Sequence, residues 1–226
     1  MQVPFPGPQH YGYIDFKNAR LNRLPGLTDK VSVVDETVIS TSGPQAWERV
    51  ILTGFMGAGK STVGRLLAPF LGWTFVDVDA ALTACLGMTV AQIFELHGEL
   101  YFREQEAAFL AQSLQSKRTV IAAGGGAVEQ ASSRALLFTD PGNLVVYLEA
   151  PLHVSLARCS AELGASERPV LQDRSVLEER FHQRLPWYRS AHLTVPTEAQ
   201  SPLAVAQTIA AVVQRSADTQ IGRYTG

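Results

Sequence analysis

The stretch that decides the fold is Gly54–Ser61, which reads GFMGAGKS. It matches the pattern GxxxxGK[ST] at every fixed position. It follows the β-branched run Val50–Thr53 and precedes a segment whose apolar residues, from Val63 to Phe70, recur at helical spacing. A loop in this context turns its backbone N–H groups inward, and the helix adds the positive end of its dipole. The sequence therefore predicts a binding site for a triphosphate.

The loop also supplies candidate contacts for the nucleotide. Lys60 is predicted to act as a point charge on the β- and γ-phosphates, and Ser61 to offer its hydroxyl to Mg²⁺. The other residues of the loop predicted to bind the nucleotide are Gly57, Ala58, Gly59 and Thr62. The alternative, a glycine-rich turn with a solvated lysine, does not account for the full motif between a strand and a helix.

Beyond the loop, short β-branched runs alternate with helical periods, which is typical of βα units and a parallel sheet. Further strands are predicted at Phe75–Val78, Thr119–Ala122, Leu144–Leu148 and Ala191–Val195. Helices are predicted after the capping box Thr89-x-x-Gln92, from about Glu99 to Gln115, and from Ser201-Pro202 onward. We therefore expect one three-layer α/β domain with five strands.

Composition limits the partners of the chain. Its 226 residues carry 19 Lys and Arg against 21 Asp and Glu, a net charge of -2 that gives no general attraction to nucleic acid or an anionic membrane. Cys85 and Cys159 form no disulfide framework or zinc motif and are predicted to be small apolar fillers, and the five dispersed histidines to be structural or solvated. No apolar run reaches about 18 residues and the N-terminus has no hydrophobic signal core, so membrane spans and secretion are not expected. The cysteine usage suits a reducing cytosol, and we expect a cytoplasmic protein, a monomer, without nucleic-acid or membrane partners.

The chain divides into three parts by composition. Residues 1–48 form a proline-rich N-terminal extension, predicted to be poorly structured or appended, with one strand-like stretch at Val31–Ile39. Residues 49–215 form the α/β domain, and residues 216–226 a C-terminal tail.

Two aspartates, Asp77 and Asp79, stand at the end of the second predicted strand of this domain. A period of two would put both carboxylates on one side of the strand at its carboxyl end, where open α/β sheets bind ligands. One could bind Mg²⁺ through its water shell, and the other could accept a proton from an attacking hydroxyl. The alternative is a solvated loop, which is less favoured beside a phosphate loop.

Two patterns in the middle of the chain leave alternatives open. Arg103 lies in Phe102-Arg103-x-x-Glu106 and could simply be the i,i+4 partner of Glu99 on a helix surface. The run Gly124–Gly126 after a strand permits close approach to a ligand, although a flexible turn explains it equally well.

The stretch Ala157–Leu171 is small and polar and is predicted to be a mobile lid. Its Arg158 and Arg168 could reach the phosphates, or could be solvated arginines of a surface loop. Arg184 follows, two residues before Pro186, and the residues alone leave its role open.

Six stretches follow one another along the chain: GFMGAGKST, VDVD, IFELHGELYFREQE, GGG, RPVL and RLPWY. In this order they resemble the shikimate kinase family, over about residues 48–215. The resemblance implies the P-loop kinase fold, a five-stranded parallel sheet flanked by helices with a mobile lid, related to nucleoside monophosphate kinases. It also implies ATP- and Mg²⁺-dependent phosphorylation of the 3-hydroxyl of shikimate, a step of chorismate and aromatic amino-acid biosynthesis.

The resemblance extends to the substrate-binding residues. Asp79 would bind the hydroxyls of shikimate and accept the proton, and Gly125 would bind the substrate through its backbone. Arg103 and Arg184 would hold the substrate carboxylate, a planar group that suits paired guanidinium groups. The resemblance thus favours a substrate role for Arg103 over a surface pair.

On the nucleotide side, the resemblance implies that Asp77 joins Ser61 at Mg²⁺, through a water ligand. Arg168 would be the lid arginine that contacts ATP and would act in catalysis with Lys60 and Asp79. Arg158 would stack on adenine, although the stretch between Arg158 and Arg168 is longer than the family pattern.

Other functions fit some of the same residues. A kinase for another small polyol acid, such as gluconate, would also need two arginines for a carboxylate. A catalytically silent relative that binds nucleotide and acts through a partner would be marked by loss of Lys60, Asp79 or an anchoring arginine, and none of these is lost. Besides the longer stretch between Arg158 and Arg168, the chain departs from the family pattern at Pro69, expected to be tolerated in the last turn of a helix, and in its N-terminal extension.

Overall fold

The computed structural model describes residues 31–34, 37–40, 47–162 and 174–224, and gives side chains for residues 47–161 and 174–217. The strands in these ranges are β1 (Val31–Val34), β2 (Thr37–Ser40), β3 (Arg49–Thr53), β4 (Thr74–Asp77), β5 (Thr119–Ala122), β6 (Asn143–Glu149) and β7 (Leu193–Pro196). The helices are α1 (Lys60–Leu71), α2 (Val78–Leu86), α3 (Val90–Ser113), α4 (Ala131–Phe138), α5 (Leu152–Glu162), α6 (Arg174–Tyr188) and α7 (Pro202–Tyr224).

The parallel part of the sheet has the strand order β7-β6-β3-β5-β4. The predicted α/β fold with five parallel strands is therefore confirmed. β3, which leads into the phosphate loop, is central and pairs with β5 and β6. Because parallel strands end at the same edge, the phosphate loop, the end of β4 and the glycine run after β5 lie side by side.

Helices cover both faces of this sheet. Val50 and Leu52 of β3 pack into a core with α1 and α7, whereas Ile51 between them packs into a second core with α3, α4 and α6. All three residues are fully buried. This alternation of faces within a continuous apolar strand is what a sheet buried on both sides requires.

The N-terminal segment differs from its prediction. The single strand-like stretch expected at Val31–Ile39 divides into β1 and β2, which pair with each other in antiparallel orientation. β2 also pairs in antiparallel orientation with β7, through Val38 opposite Thr194 and Ile39 opposite Leu193. The full sheet therefore has seven strands in the described part of the chain.

Two predicted helix starts, at the capping box and at Glu99, are found in α3. Thr89 and Gln92 form the expected capping box at the start of α3. Gly98, with φ of 82°, breaks the helical path, so the predicted second helix does begin at Glu99. Pro69 lies near the end of α1 and the helix continues to Leu71, as expected for a proline in a last turn.

Within the described ranges, no single helix combines the length and apolar composition needed to cross a membrane. In that part of the chain, α2 and α3 taken together have the required length and composition, but they are bent by 95° at their junction.

Candidate active site

The loop between β3 and α1 is held in one shape by its own backbone and by α5. The Ala58 N–H donates to the Phe55 carbonyl at 3.2 Å, and Gly59, with φ of 95°, precedes the first turn of α1. Gly57 has φ of 72°, and a Cβ there would overlap the Ser155 carbonyl oxygen of α5. Glycine at position 57 therefore lets the loop turn and lets α5 pack against it.

A cavity opens beside this loop at the carboxyl edge of the sheet. Its walls contain loop and helix residues predicted to bind nucleotide, both aspartates and one residue of the glycine run: Gly57, Gly59, Lys60, Ser61, Thr62, Asp77, Asp79 and Gly125. Met56, Ala122, Ala123 and Cys159 complete the lining. Ala58, the other loop residue predicted to bind nucleotide, is buried, with 1% of its surface exposed.

Lys60 carries the positive charge of this cavity. Its Nζ donates to the carbonyl oxygens of Gly54 at 2.8 Å and Phe55 at 3.0 Å. Burial lowers the pKa of Lys60, and the carboxylates of Asp79 and Asp77 oppose that shift. The two aspartates therefore help keep a buried ammonium charged next to the phosphate loop.

The two aspartates reach the cavity by a different route from the predicted one. Asp77 ends β4, and its Oδ1 accepts a hydrogen bond from the Ala80 N–H at 3.2 Å, capping α2. Asp79 lies in the first turn of α2, so the period-two argument for a strand was wrong. Both carboxylates still line one cavity, because the first helical turn rises from the carboxyl edge of the sheet.

Arg103 is part of a buried ion-pair network. Its Nη1 donates to Glu106 Oε2 at 2.8 Å, and its Nη2 to Glu99 Oε1 at 3.0 Å. The side chain is 11% exposed, so the simple surface pair with Glu99 is wrong. Burial lowers the pKa of Arg103, but Glu106 and Glu99 more than offset this and raise it overall.

Glu106 lies deeper than its partner, with 3% of its side chain exposed. Burial raises the pKa of Glu106, the Arg103 guanidinium opposes the rise, and the nearby Asp79 carboxylate adds to it. Glu106 therefore interacts electrostatically both with Arg103 and with Asp79, which lines the cavity.

Arg184 of α6 approaches the same region from the opposite side. Its side chain is 5% exposed, and its Nε donates to Glu129 Oε1 at 2.7 Å. Glu129 Oε2 lies 3.8 Å from Arg103 Nη2, so one carboxylate joins the two arginines. The Tyr188 hydroxyl, one helical turn after Arg184, donates to the Gly125 carbonyl at 2.5 Å.

The glycine run is required by what packs against it. A Cβ on Gly124 would overlap Glu106 Oε1, and a Cβ on Gly126 would overlap the Arg103 guanidinium. Gly125 lies between them and faces Arg184, whose Nη1 would be 3.7 Å from a Cβ at that position. Close approach therefore explains glycine at positions 124 and 126, whereas a Cβ at Gly125 would make only ordinary contacts.

Of the two remaining residues predicted to bind nucleotide, the structure describes only Arg158. Arg158 of α5 donates through Nη1 to Thr197 Oγ1 at 3.0 Å and through Nη2 to the Thr197 carbonyl at 2.6 Å. Arg168, and with it most of the predicted lid, lies outside the described residues.

Sequence reasoning missed three residues of the network. Glu106 was part of a quoted motif but received no role, and Tyr188 follows Arg184 by four positions, a spacing that puts both on one helix face. Glu129 has no local signal, because its contacts depend on how the turn after β5 meets α3 and α6.

Known proteins match most of the chain. Residues 56–214 match the family described as shikimate kinase. A shikimate kinase of Nitrosospira multiformis is 37% identical over 187 residues, covering 81% of this chain and 93% of that protein. One of Psychrobacter arcticus is 42% identical over 152 residues, covering 66% of this chain and 79% of that protein.

The fold is similar to that of a solved structure. The shikimate kinase from Acinetobacter baumannii in complex with shikimate matches at a TM-score of 0.68 and 36% identity, over 75% of this chain and 94% of that chain. The family match at residues 56–214 includes the phosphate loop from Met56 onward, both arginines and the glycine run. The chain belongs to the shikimate kinase family.

Proposed function

We propose that this chain transfers the γ-phosphoryl group of ATP to the 3-hydroxyl of shikimate, giving shikimate 3-phosphate and ADP. The observation that carries this proposal is that Lys60 and Asp79 line one cavity with Gly125, next to which Arg184 lies. The family's reaction needs a phosphate site, an acid and a pair of arginines for a carboxylate, and this cavity and its neighbouring network contain all three.

The phosphate side of the cavity would bind ATP. The backbone N–H groups of the loop at Gly57–Thr62 and the N-terminus of α1 would face the phosphates, with Lys60 near the β- and γ-oxygens. Arg158 would lie near the adenine, and Arg168 of the lid would neutralise charge on the transferring group.

The donor set also fits Mg²⁺. The Ser61 hydroxyl and the Asp77 carboxylate line the same cavity, and Mg²⁺ prefers oxygen ligands, few from protein and the rest from water and phosphate. Ser61 would bind the ion directly and Asp77 through a water molecule. When bound, the ion neutralises charge on the phosphate oxygens.

The substrate would lie between Asp79 and the two arginines. Arg103 and Arg184 would bind its carboxylate, the Gly125 backbone would contact the ring, and Asp79 would orient the hydroxyls and accept the proton as the 3-hydroxyl attacks. Glu106 would hold Arg103 in position through the 2.8 Å contact with its Nη1. Transfer would then need little more than alignment of the hydroxyl with the γ-phosphate.

A coupled assay for ADP tests this proposal. ADP should form only when shikimate, ATP and Mg²⁺ are all present, and the product should be shikimate 3-phosphate. Quinate and gluconate serve as comparison acceptors, and the K60M variant as the blank for phosphoryl transfer. Formation of ADP at the same rate without shikimate, or faster turnover with gluconate, would exclude the proposed reaction.

We also propose that the protein acts in the cytoplasm as a monomer, in the pathway to chorismate and the aromatic amino acids. Its net charge of -2 gives no general attraction to nucleic acid or anionic membranes. Size-exclusion chromatography with light scattering tests the monomer.

A further inference from the structure

The Glu129 carboxylate lies where the two arginines of the proposed substrate site meet. Its Oε1 accepts from Arg184 Nε at 2.7 Å, and its Oε2 is 3.8 Å from Arg103 Nη2. A substrate carboxylate that binds both arginines would approach the same two guanidinium groups. The protein therefore carries an acidic group of its own at the position proposed for the acidic group of the substrate.

The charges around this position are already balanced. Arg103, Arg184 and a third arginine, Arg180, meet the carboxylates Glu99, Glu106 and Glu129, with Arg180 Nη2 lying 3.5 Å from Glu99 Oε2. A further carboxylate would add an uncompensated negative charge to this half-buried cluster. Like charges at this range oppose binding, and more strongly where water is excluded.

Among these three glutamates, Glu129 is the one best placed to move away from both substrate arginines. Glu106 is 3% exposed and is held against Arg103, and Glu99 pairs with Arg103 and Arg180. Glu129 contacts both substrate arginines, and 33% of its side chain is exposed. A rotation of its side chain toward solvent would remove its contacts with Arg184 Nε and Arg103 Nη2, while Glu106 and Glu99 would still hold Arg103 in place.

The backbone around Glu129 is fixed, so this rotation needs no loop movement. The Glu129 N–H donates to the Gly126 carbonyl at 2.9 Å. Arg134 Nη1 donates to the carbonyl oxygens of Val128 at 2.8 Å and Glu129 at 2.6 Å. The turn thus presents the carboxylate to the arginines while leaving the side chain free to change rotamer.

We infer that Glu129 sets the affinity for the anionic substrate, because its carboxylate competes with the substrate carboxylate for Arg103 and Arg184. This inference rests on the proposed role of those two arginines. It assigns Glu129 no part in phosphoryl transfer, so its effect belongs to substrate binding and not to the rate of the chemical step.

The E129Q variant tests the inference, because glutamine keeps the size of the side chain and an oxygen for the Arg184 Nε–H but removes the charge. Calorimetry should show shikimate binding tighter by about three- to tenfold, which corresponds to a modest electrostatic change. The KM for shikimate should fall, with kcat and the KM for ATP unchanged. The E129D variant keeps the charge and should not show this gain.

Two controls isolate the charge at this position. Glu104 is exposed on the same helix as Arg103, so E104Q removes the same charge elsewhere and should leave shikimate affinity at the parental value. The methyl ester of shikimate lacks the competing carboxylate, so E129Q should improve binding of shikimate more than binding of the ester. Thermal unfolding of each variant verifies that the fold is retained.

An unchanged or weaker affinity of folded E129Q for shikimate would overturn the inference, and weaker affinity would instead make Glu129 a positioning residue for Arg184. Equal gains for shikimate and its methyl ester would overturn it as well. Failure of the proposed function has a different signature, since the parental protein itself would then neither bind nor phosphorylate shikimate.

Discussion

Arg184 is the residue whose loss should separate substrate binding from nucleotide binding. Its buried guanidinium is proposed to bind the shikimate carboxylate, and charge-assisted hydrogen bonds of this kind contribute more than neutral ones. We expect R184A to raise the KM for shikimate by about ten- to a hundredfold, with little change in the KM for ATP. Steady-state kinetics with each substrate varied in turn would measure both.

The K60M variant is the matched comparison for R184A. It removes the charge proposed to act on the phosphates, so we expect kcat to fall while shikimate affinity, measured by calorimetry, is retained. An R184A protein that uses shikimate with parental efficiency would contradict the assignment of this arginine.

Gly126 offers a steric test of the position of Arg103. A methyl group at this residue would overlap the Arg103 guanidinium and force it out of its present position. We expect G126A to raise the KM for shikimate about tenfold or more, because a hydrogen-bonded ion pair to the substrate would be lost. The kinetics of G126A beside the parental enzyme measure this.

Its control is G87A, at a glycine with φ of 64° and no neighbouring atom within 4 Å of a Cβ. This change strains the end of α2 and should cost about 1 kcal/mol of stability without affecting the KM. If G126A and G87A had similar KM values for shikimate, this would argue against displacement of the Arg103 guanidinium by a methyl group at residue 126.

How much of the site could be predicted depends on how local its signals are. Lys60 and Ser61 were predictable because one contiguous motif carries their chemistry, and both line the cavity. The arginines needed a family resemblance, since Arg103 and Arg184 are far apart in sequence and an arginine alone has many uses. Glu129 was beyond reach, because its partners on α3 and α6 become neighbours only through the tertiary fold.

The strands and helices were largely predictable for a related reason: an apolar run or a helical period is contained within the element itself. The junction of β4 and α2 is the instructive exception. Val78 continues the apolar run of the strand, yet Asp77 caps the following helix through the Ala80 N–H and draws Val78 into it. A short-range side-chain hydrogen bond therefore set the boundary against the apolar pattern.

β6 and β7 are joined by a hydrogen bond that should depend on pH. The Val145 N–H of β6 donates to His192 Nδ1 at 3.0 Å, just before β7 begins. Burial lowers the pKa of His192, so the folded protein favours the neutral ring. The His192 pKa is 6.5 in the unfolded chain and lower in the folded protein, so below pH 6.5 the unfolded chain binds a proton more readily. The contribution of neutral His192 to the free energy of unfolding is therefore lost as the pH falls.

We therefore expect the free energy of unfolding to fall more steeply between about pH 7 and pH 5, around the ordinary histidine pKa, in the parental protein than in H192N. Asparagine can accept the Val145 hydrogen bond without titrating, although it loses the ring contacts with Trp47 and Phe138 and so lowers stability at every pH. Urea unfolding at several pH values gives both slopes. Parallel pH dependences would show that His192 does not contribute.

At the scale of the whole molecule, a net charge of -2 conceals strong local organisation. The proposed anion-binding arginines are not surplus positive charges, because Glu99, Glu106 and Glu129 neutralise them within the fold. A chain can therefore contain a site for two anionic ligands without a basic surface. This balance also explains why composition alone gave no indication of a phosphate-binding protein.

The N-terminal hairpin should be dispensable for catalysis. Among the described strands, β1 pairs only with β2, and β2 adds to the outer side of β7. The cavity lies at β3, β4 and β5, away from this edge of the sheet. We expect a variant beginning at residue 47 to retain the parental kcat and both KM values. Its melting temperature should fall by a few degrees, because the edge of β7 loses its partner strand. A loss of about 1 kcal/mol in the free energy of unfolding lowers the melting temperature of a domain this size by roughly 2–4 °C. Kinetics and thermal unfolding of the two proteins side by side measure these effects.

If the shortened protein melts normally but has lost shikimate-dependent ADP formation, then the N-terminal segment contributes to the active site and the kinase domain does not begin at residue 49.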